Sequence, residues 1–164
     1  MSLSPEDRLD IQDLLVRYEY MSHGLIGDEN SLLELFTDDV VLDGPRGYHE
    51  GTEGVMEYAR QVRPTDVGVK ARTRLTNFLI EGDGDDATML AAFVRIKAKT
   101  DDGRPQEMVT GSYDCVAKKV DGVWKLKHRI IRIDGLPQFR DTPEYEAGAR
   151  YVLRGDQFVL EGAK

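Results

Sequence analysis

Residues 70–134 read KARTRLTNFLIEGDGDDATMLAAFVRIKAKTDDGRPQEMVTGSYDCVAKKVDGVWKLKHRIIRID, and this stretch decides the fold. Four runs within it, at 70–82, 86–100, 105–119 and 123–134, alternate apolar and polar side chains with a period of two, the pattern of half-buried strands. Between them lie turn-forming clusters: Glu81-Gly82-Asp83-Gly84-Asp85, Asp101-Asp102-Gly103 and Asp121-Gly122. The spacing predicts an antiparallel meander of four long strands. The acidic segment from Gly82 to Asp86 lacks the ligand spacing and closing glutamate of a calcium loop and reads as a hairpin turn.

Upstream, the texture is helical. Ser4 can cap a helix with Pro5 at its first position and acids in its first turn. Leu9, Ile11, Leu14, Leu15, Tyr18 and Met21 then fall on one face at three- and four-residue spacing, and the helix stops near His23-Gly24. Ser31 to Phe36 reads as a short second helix, Val40 to Leu42 as a brief strand, and Glu53 to about Val62 as a third helix capped by Thr52 and ended by Pro64. Helices first and strands second is an α+β layout, with one sheet face covered by the helices. The tail from 136 to 164 reads as a C-terminal extension, weakly helical from Glu144 to Arg150, with Phe158-Val159-Leu160 apolar enough to dock.

The 164 residues suit one domain with one core. A formal charge of −8, with no local run of Lys and Arg, argues against nucleic acid as a partner. The opening residues lack the basic and apolar regions of a signal peptide, and no apolar run approaches the ~20 residues of a membrane span. These features predict a cytoplasmic chain with no membrane partner. Cys115 is the single cysteine, and the three histidines, His23, His49 and His128, are scattered, so no metal site is expected. Cys115 sits beside Val116 and Ala117, with no basic neighbour in sequence, and reads as a buried inert thiol.

Six segments resemble, in order, the SnoaL-like branch of the nuclear transport factor 2-like superfamily: IQDLLVRY (Ile11 to Tyr18), LLELFTDDVV (Leu32 to Val41), GTEGVMEY (Gly51 to Tyr58), TRLTNFLIEGDGDDAT (Thr73 to Thr88), GSYDC (Gly111 to Cys115) and DGVWKL (Asp121 to Leu126). The resemblance implies a cone-shaped half-barrel, a strongly curved antiparallel sheet wrapped around the long N-terminal helix, with an apolar pocket between helices and sheet. It also implies a homodimer through the outer sheet face, for which Phe78, Ile80, Ala91, Phe93 and Val116 are candidates. The superfamily hosts dehydratases, isomerases, polyketide cyclases, epoxide hydrolases, dioxygenase small subunits and carriers, so the pocket residues must decide the function.

Dehydratase-like members pair an Asp, five residues after a Tyr in the first helix, with a His on the first long strand, four residues before an Asn. That pattern falls here on Tyr18, His23, Thr73 and Asn77. Both members of the dyad have changed: Thr73 cannot shuttle a proton near neutral pH, whereas an imidazole at position 23 can. His23 and Tyr18 are thus the candidate catalytic residues, and Tyr48, Thr73, Asn77 and Tyr113 the candidate substrate-binding ones. Each also has a plainer reading: His23 as a helix-end residue, Tyr18 as core, Asn77 as satisfying backbone where the sheet bends. Period-two counting puts Thr73, Leu75, Asn77 and Leu79 on one face, and His128 on the core side with Trp124 and Leu126, opposite Arg129.

The expected function is a cofactor-independent acid–base enzyme of dehydratase, isomerase or cyclase type acting on a small, apolar, cyclic carbonyl compound. The alternative is a non-catalytic binding protein or accessory subunit resembling the small subunit of ring-hydroxylating dioxygenases. Epoxide hydrolysis needs an Asp-Arg-Asp arrangement, for which the strands offer no match.

Overall fold

The first helix, α1 (Pro5–Ser22), starts where the sequence sets its cap. In the computed structural model, which describes residues 2–28, 30–68, 70–98, 100–136, 150–154 and 157–161, the Ser4 hydroxyl accepts from the Asp7 amide, and the Asp7 carboxylate accepts in return from the Ser4 amide. Asp7 does more than cap: its Oδ1 also accepts from Trp124 Nε1 at 2.8 Å and from Lys119 Nζ at 2.7 Å. These bonds tie the start of the helix to the far hairpin of the sheet. Ile11, Leu14, Leu15, Tyr18 and Met21 are buried along one stripe, each worth roughly 1.5–3 kcal/mol of transfer free energy if fully buried. That stripe fixes α1 on the sheet more strongly than any single cap.

After α1 the Asp28 carboxylate accepts from the amides of Asn30 and Ser31 and opens a 3₁₀ helix, Asn30–Leu35, in place of the short α-helix the sequence suggests. β1 (Phe36–Gly44) is three times the expected length, and β2 (Gly47–Glu50) turns back along it. The second helix, α2 (Gly51–Gly68), continues through Pro64 instead of ending there. Proline removes one backbone bond, which tertiary ties can offset: Val62 is buried, and Arg63 donates to the carbonyls of Met21 and Gly27. Gly54 lets α2 lie close on β2, since a Cβ there would sit 2.9 Å from the backbone carbon of His49.

The four long strands are β3 (Ala71–Asp83), β4 (Asp86–Lys97), β5 (Gln106–Val120) and β6 (Val123–Ile133), close to the bounds read from the alternation. The six strands form one sheet in the order β2-β1-β6-β5-β4-β3. It is mixed, because β1 runs parallel to β6 while every other pair is antiparallel. β7 (Arg150–Arg154) and β8 (Gln157–Glu161) pair as a separate hairpin, and the helical reading of Glu144 to Arg150 lies largely outside the described residues. Among the described residues no helix is long and apolar enough to cross a membrane.

Two β-bulges set which side chains face the helices. On β3 the pairing slips between Thr76 and Leu79, so that Asn77 and Phe78 together oppose Ala91. Asn77 has φ 55°, in the left-handed region that asparagine tolerates better than most residues. On β6 the pairing passes from Leu126 to His128 and leaves Lys127 as the extra residue. Side-chain parity reverses at both places. Ala71, Thr73 and Leu75 face inward before the first bulge, and Phe78 and Ile80 after it. Trp124 and Leu126 face inward before the second, and Arg129 and Ile131 after it.

Four of the five outer-face candidates are therefore inside: Ile80, Ala91 and Phe93 are buried in the core and Phe78 packs against it. Leu79 and Leu90, register partners on β3 and β4, are exposed instead. His128 is not on the Trp124 side, and Arg129 is not turned to solvent, because the single extra residue at Lys127 exchanges their faces.

Candidate functional site

Gln12, Val16, Glu19 and His23 follow one another along α1 at spacings of four, three and four, which puts them on one line of the helix facing β3. With Tyr20, Leu25 and residues 72–76 and 78 of β3 they enclose a pocket of ≈ 380 Å³, within the range of small-molecule sites. Two of its polar residues, Glu19 and His23, are each only 4% exposed.

His23 and Thr73, the two positions aligned with the dehydratase dyad, meet: His23 Nε2 lies 3.0 Å from Thr73 Oγ1. The same nitrogen lies 3.1 Å from Glu19 Oε2. An ionised carboxylate is only an acceptor, so this contact favours a proton on Nε2. Arg95, reaching in from β4, places Nη2 3.9 Å from Glu19 Oε2 and Nε 3.5 Å from Thr73 Oγ1. From β5 the Tyr113 hydroxyl donates to Glu19 Oε1 at 2.5 Å. Burial by itself raises the pKa of Glu19, but the hydrogen bond from His23, the charges of Arg95 and His23 and the Tyr113 hydroxyl outweigh it and hold the carboxyl at about 2. Burial and the Glu19 charge push the Tyr113 phenol well above its usual range, so it remains a donor.

Tyr113 is positioned from behind by Phe93, whose ring lies 4.8 Å away at 30°. Gly111 makes room for that ring, since a Cβ there would lie 2.9 Å from Phe93 Cζ and against the Arg132 carbonyl. Beyond Tyr113 lies Arg129, 1% exposed, with its guanidinium carbon 3.9 Å from the ring centroid of Tyr18, 5.1 Å from that of Tyr113 and 5.3 Å from that of Tyr58. Tyr18 packs edge-on against Phe36, and burial raises its phenol against the opposing charge of Arg129. Tyr18 is thus placed on a cation rather than in the wall of the pocket that His23 lines.

Of the residues singled out from the sequence, His23, Thr73 and Tyr113 come together around Glu19, and Tyr18 stands next to them across Arg129. Two do not join. Tyr48 lies on β2, 37% exposed, and donates to Glu50 Oε1 at 2.8 Å. Asn77 is exposed on the β3 bulge and is no part of the pocket wall. His49 packs edge-on against Tyr58, with Nε2 3.2 Å from the Arg46 carbonyl. Cys115 is fully buried, its thiol pushed up to about 12 by burial. Among the described residues no group of three or more His, Cys, Asp or Glu side chains is placed to hold a metal ion.

Glu19 escapes a reading that asks only which residues fill the apolar stripe. The signal it left is its position four residues before His23, the spacing at which a carboxylate meets an imidazole on one helix face. Arg129 left a weaker signal, hidden by the bulge.

Comparison with known proteins places the geometry in context. No curated protein sequence matches the chain. A Nostoc punctiforme protein of unknown function with a cystatin-like fold superposes with a TM-score of 0.74 at 26% identity, covering 84% of this chain and 98% of that one. A Mycobacterium tuberculosis protein of unknown function is 30% identical, with a TM-score of 0.67 and coverage of 81% and 78%. A candidate aromatic ring hydroxylase from Novosphingobium aromaticivorans is 27% identical, with a TM-score of 0.63 and coverage of 82% and 93%. The family model described as the SnoaL-like domain matches residues 4–130, which span both helices, the pocket and all but the end of β6, and the chain belongs to that family.

Proposed function

We propose that the chain is a cofactor-independent acid–base enzyme of the dehydratase, isomerase or cyclase type, acting on a small, largely apolar, cyclic carbonyl compound. The observation that carries this reading is the buried Glu19 carboxylate 3.1 Å from His23 Nε2, with both groups in the wall of a ≈ 380 Å³ pocket. A carboxylate held ionised beside an imidazole stabilises the imidazolium that forms when the ring takes a proton. In the proposed step His23 Nδ1, the nitrogen left without a proton when Nε2 carries one beside Glu19, removes a proton from the carbon next to the carbonyl, and the electron pair moves to the carbonyl oxygen. Thr73, in the pocket wall, supplies a hydroxyl to that oxygen. With a β-hydroxy substrate the imidazolium returns its proton to the departing hydroxyl, which leaves as water. With none, the proton is returned to carbon elsewhere and the product is an isomer. Tyr113 and Arg95 keep Glu19 in place and charged.

The test does not require the natural substrate. Cyclic ketones such as cyclohexanone, decalone and tetralone are incubated with the protein in D₂O, and exchange of the protons beside the carbonyl is followed by NMR. The wild type should accelerate exchange for at least one of them, and His23→Gln should lower that rate by ~10²-fold or more with binding little changed. Exchange that persists unaltered in His23→Gln removes the assignment.

A second reading, a ligand-binding or accessory subunit, is favoured by Thr73, which puts a hydroxyl that does not titrate near neutral pH where dehydratase-like members carry a histidine. It expects the same ketones to bind without any exchange. Either way we place the protein as a homodimer, supported by exposed Leu79 and Leu90 side by side on the outer face of the sheet.

A further inference from the structure

The pocket that holds Glu19 and His23 is lined by residues 72 to 76 in unbroken succession, so it reaches both faces of β3. A cavity can do this only at the free edge of a sheet, and β3 is the outermost strand. Arg72 and Arg74, which parity places on the face opposite Thr73, thereby share one wall with it. Arg72 is half-buried and donates from Nη1 to the Ala71 carbonyl at 2.6 Å, while Arg74 is exposed. Among the described residues neither guanidinium forms an ion pair, and Arg74 has no hydrogen-bond partner. Across the ladder they face Ile96 and Val94, which carry no charge. Glu19, the carboxylate among the described lining residues, is already engaged by His23, Arg95 and Tyr113. The pocket therefore offers two positive charges without a counter-ion, in a chain whose formal charge is −8. A neutral ketone makes no use of them, whereas a cleft lined by one sign of charge draws in a ligand of the other.

We propose that the compound this pocket takes is an anion, a cyclic ketone whose ring carries a carboxylate, with the carboxylate held by Arg74 and Arg72 and the carbonyl directed to His23 and Thr73. The ketone half rests on the acid–base reading above, and the carboxylate half does not. Arg74 has its whole fork of N–H donors open, which matches two carboxylate oxygens in one plane, and Arg72 adds a second charge beside it. Thr73 stands between the two arginines in the chain, neighbouring Cα atoms being about 3.8 Å apart, and its hydroxyl lies 3.0 Å from His23 Nε2. One small ring compound can therefore span the anion site and the acid–base pair. Val16, Leu75 and Phe78 in the same lining give its ring an apolar surface.

Cyclohexanecarboxylate, which has no ketone, is the first probe. The backbone amide resonances of residues 72–76 are followed by NMR at constant ionic strength with added cyclohexanecarboxylate, neutral cyclohexanecarboxamide or chloride. They should shift saturably with the carboxylate alone. Arg74→Gln, a change at an exposed side chain, should weaken that binding ~10-fold or more, the loss expected for a charge-assisted hydrogen bond, and Arg74→Lys, which keeps the charge without the fork, should restore part of it. In the wild type, 4-oxocyclohexanecarboxylate should exchange the protons beside its ketone in D₂O with a KM ~10-fold or more below that of 4-oxocyclohexanecarboxamide. Equal shifts or equal KM values for acid and amide, or carboxylate binding that survives Arg74→Gln, overturn the proposal, and exchange of either ketone then leaves the acid–base reading standing. Carboxylate binding that depends on Arg74 with no exchange of any ketone removes the acid–base reading instead and leaves the anion site in place.

Discussion

Replacing Glu19 by Gln keeps the size and shape of the side chain and removes its charge, which makes it the most informative single change in the site. In the folded protein the carboxyl sits at about 2 against an ordinary 4.5, a difference that corresponds to about 3 kcal/mol favouring the ionised, folded state. The sign follows from the direction of the shift. A depressed carboxylate contributes its full stability above the unfolded value and loses it as the pH falls toward the folded one. With these two values, about 2 kcal/mol of the contribution is gone by pH 3. Glutamine does not ionise and makes no such contribution. Urea unfolding followed by circular dichroism at pH 7, 5, 4 and 3 should show Glu19→Gln less stable than wild type by about 3 kcal/mol at pH 7, with the gap narrowing to about 1 kcal/mol at pH 3. A gap of the same size at pH 7 and pH 3 would refute the claim that His23, Arg95 and Tyr113 hold the carboxylate ionised. The same variant should lose ketone proton exchange together with His23→Gln, since the imidazolium then has no carboxylate beside it.

At the β3 bulge, Asn77→Gly should leave stability nearly unchanged, while Asn77→Val should cost ~1–2 kcal/mol, because a β-branched residue resists the φ of 55° held there. Both should retain wild-type ketone exchange, read by the same NMR assay, because Asn77 is outside the pocket wall. Cys115, fully buried and with its thiol pushed up to about 12, should react with an aromatic disulfide reagent at pH 8 only as fast as the protein unfolds. Rapid labelling of the native protein, measured by absorbance of the released thiolate, would contradict that burial.

The four long strands were legible because alternation and turn chemistry agree along their whole length: Gly84, Gly103 and Gly122, each in the turns expected, all have positive φ. The first helix was legible for the same reason, its cap, first turn and apolar stripe all pointing one way. Local patterns failed where tertiary ties outweigh them. Nothing near Pro64 in sequence announces that Arg63 will bond the end of α1 and hold the helix past the proline. Nor does the sequence around Val40 show that β1 will lie parallel to β6, which requires knowing the edge left free by a meander still to come. Within the site, His23 and Thr73 were legible by their place in a family pattern. Glu19 was not, since a charged residue amid an apolar stripe reads as solvent-facing until Arg95 and Tyr113 arrive from strands more than seventy residues away.

The two errors of sidedness, Asn77 and Arg129, have one physical origin, and the sequence does carry a trace of it. Period-two parity holds only while pairing is unbroken, and one extra residue reverses everything downstream. On β6, Trp124 and Leu126 call for even-numbered residues inside, whereas Ile131 and Ile133 outnumber Ile130 and call for odd ones. On β3, Ala71 and Leu75 call for odd-numbered residues, whereas Phe78 and Ile80 call for even ones. A long strand whose two halves demand opposite parity cannot satisfy both without a bulge, and the conflict locates it: between Leu126 and His128 on one strand, between Thr76 and Leu79 on the other, where the pairing does slip. Each bulge keeps the apolar residues of both halves in the core at the cost of one unpaired position. On β6 the same reversal carries Arg129 inward with Ile131, so the buried cation and its tyrosine cage exist because a strand too apolar at both ends could not keep a single register.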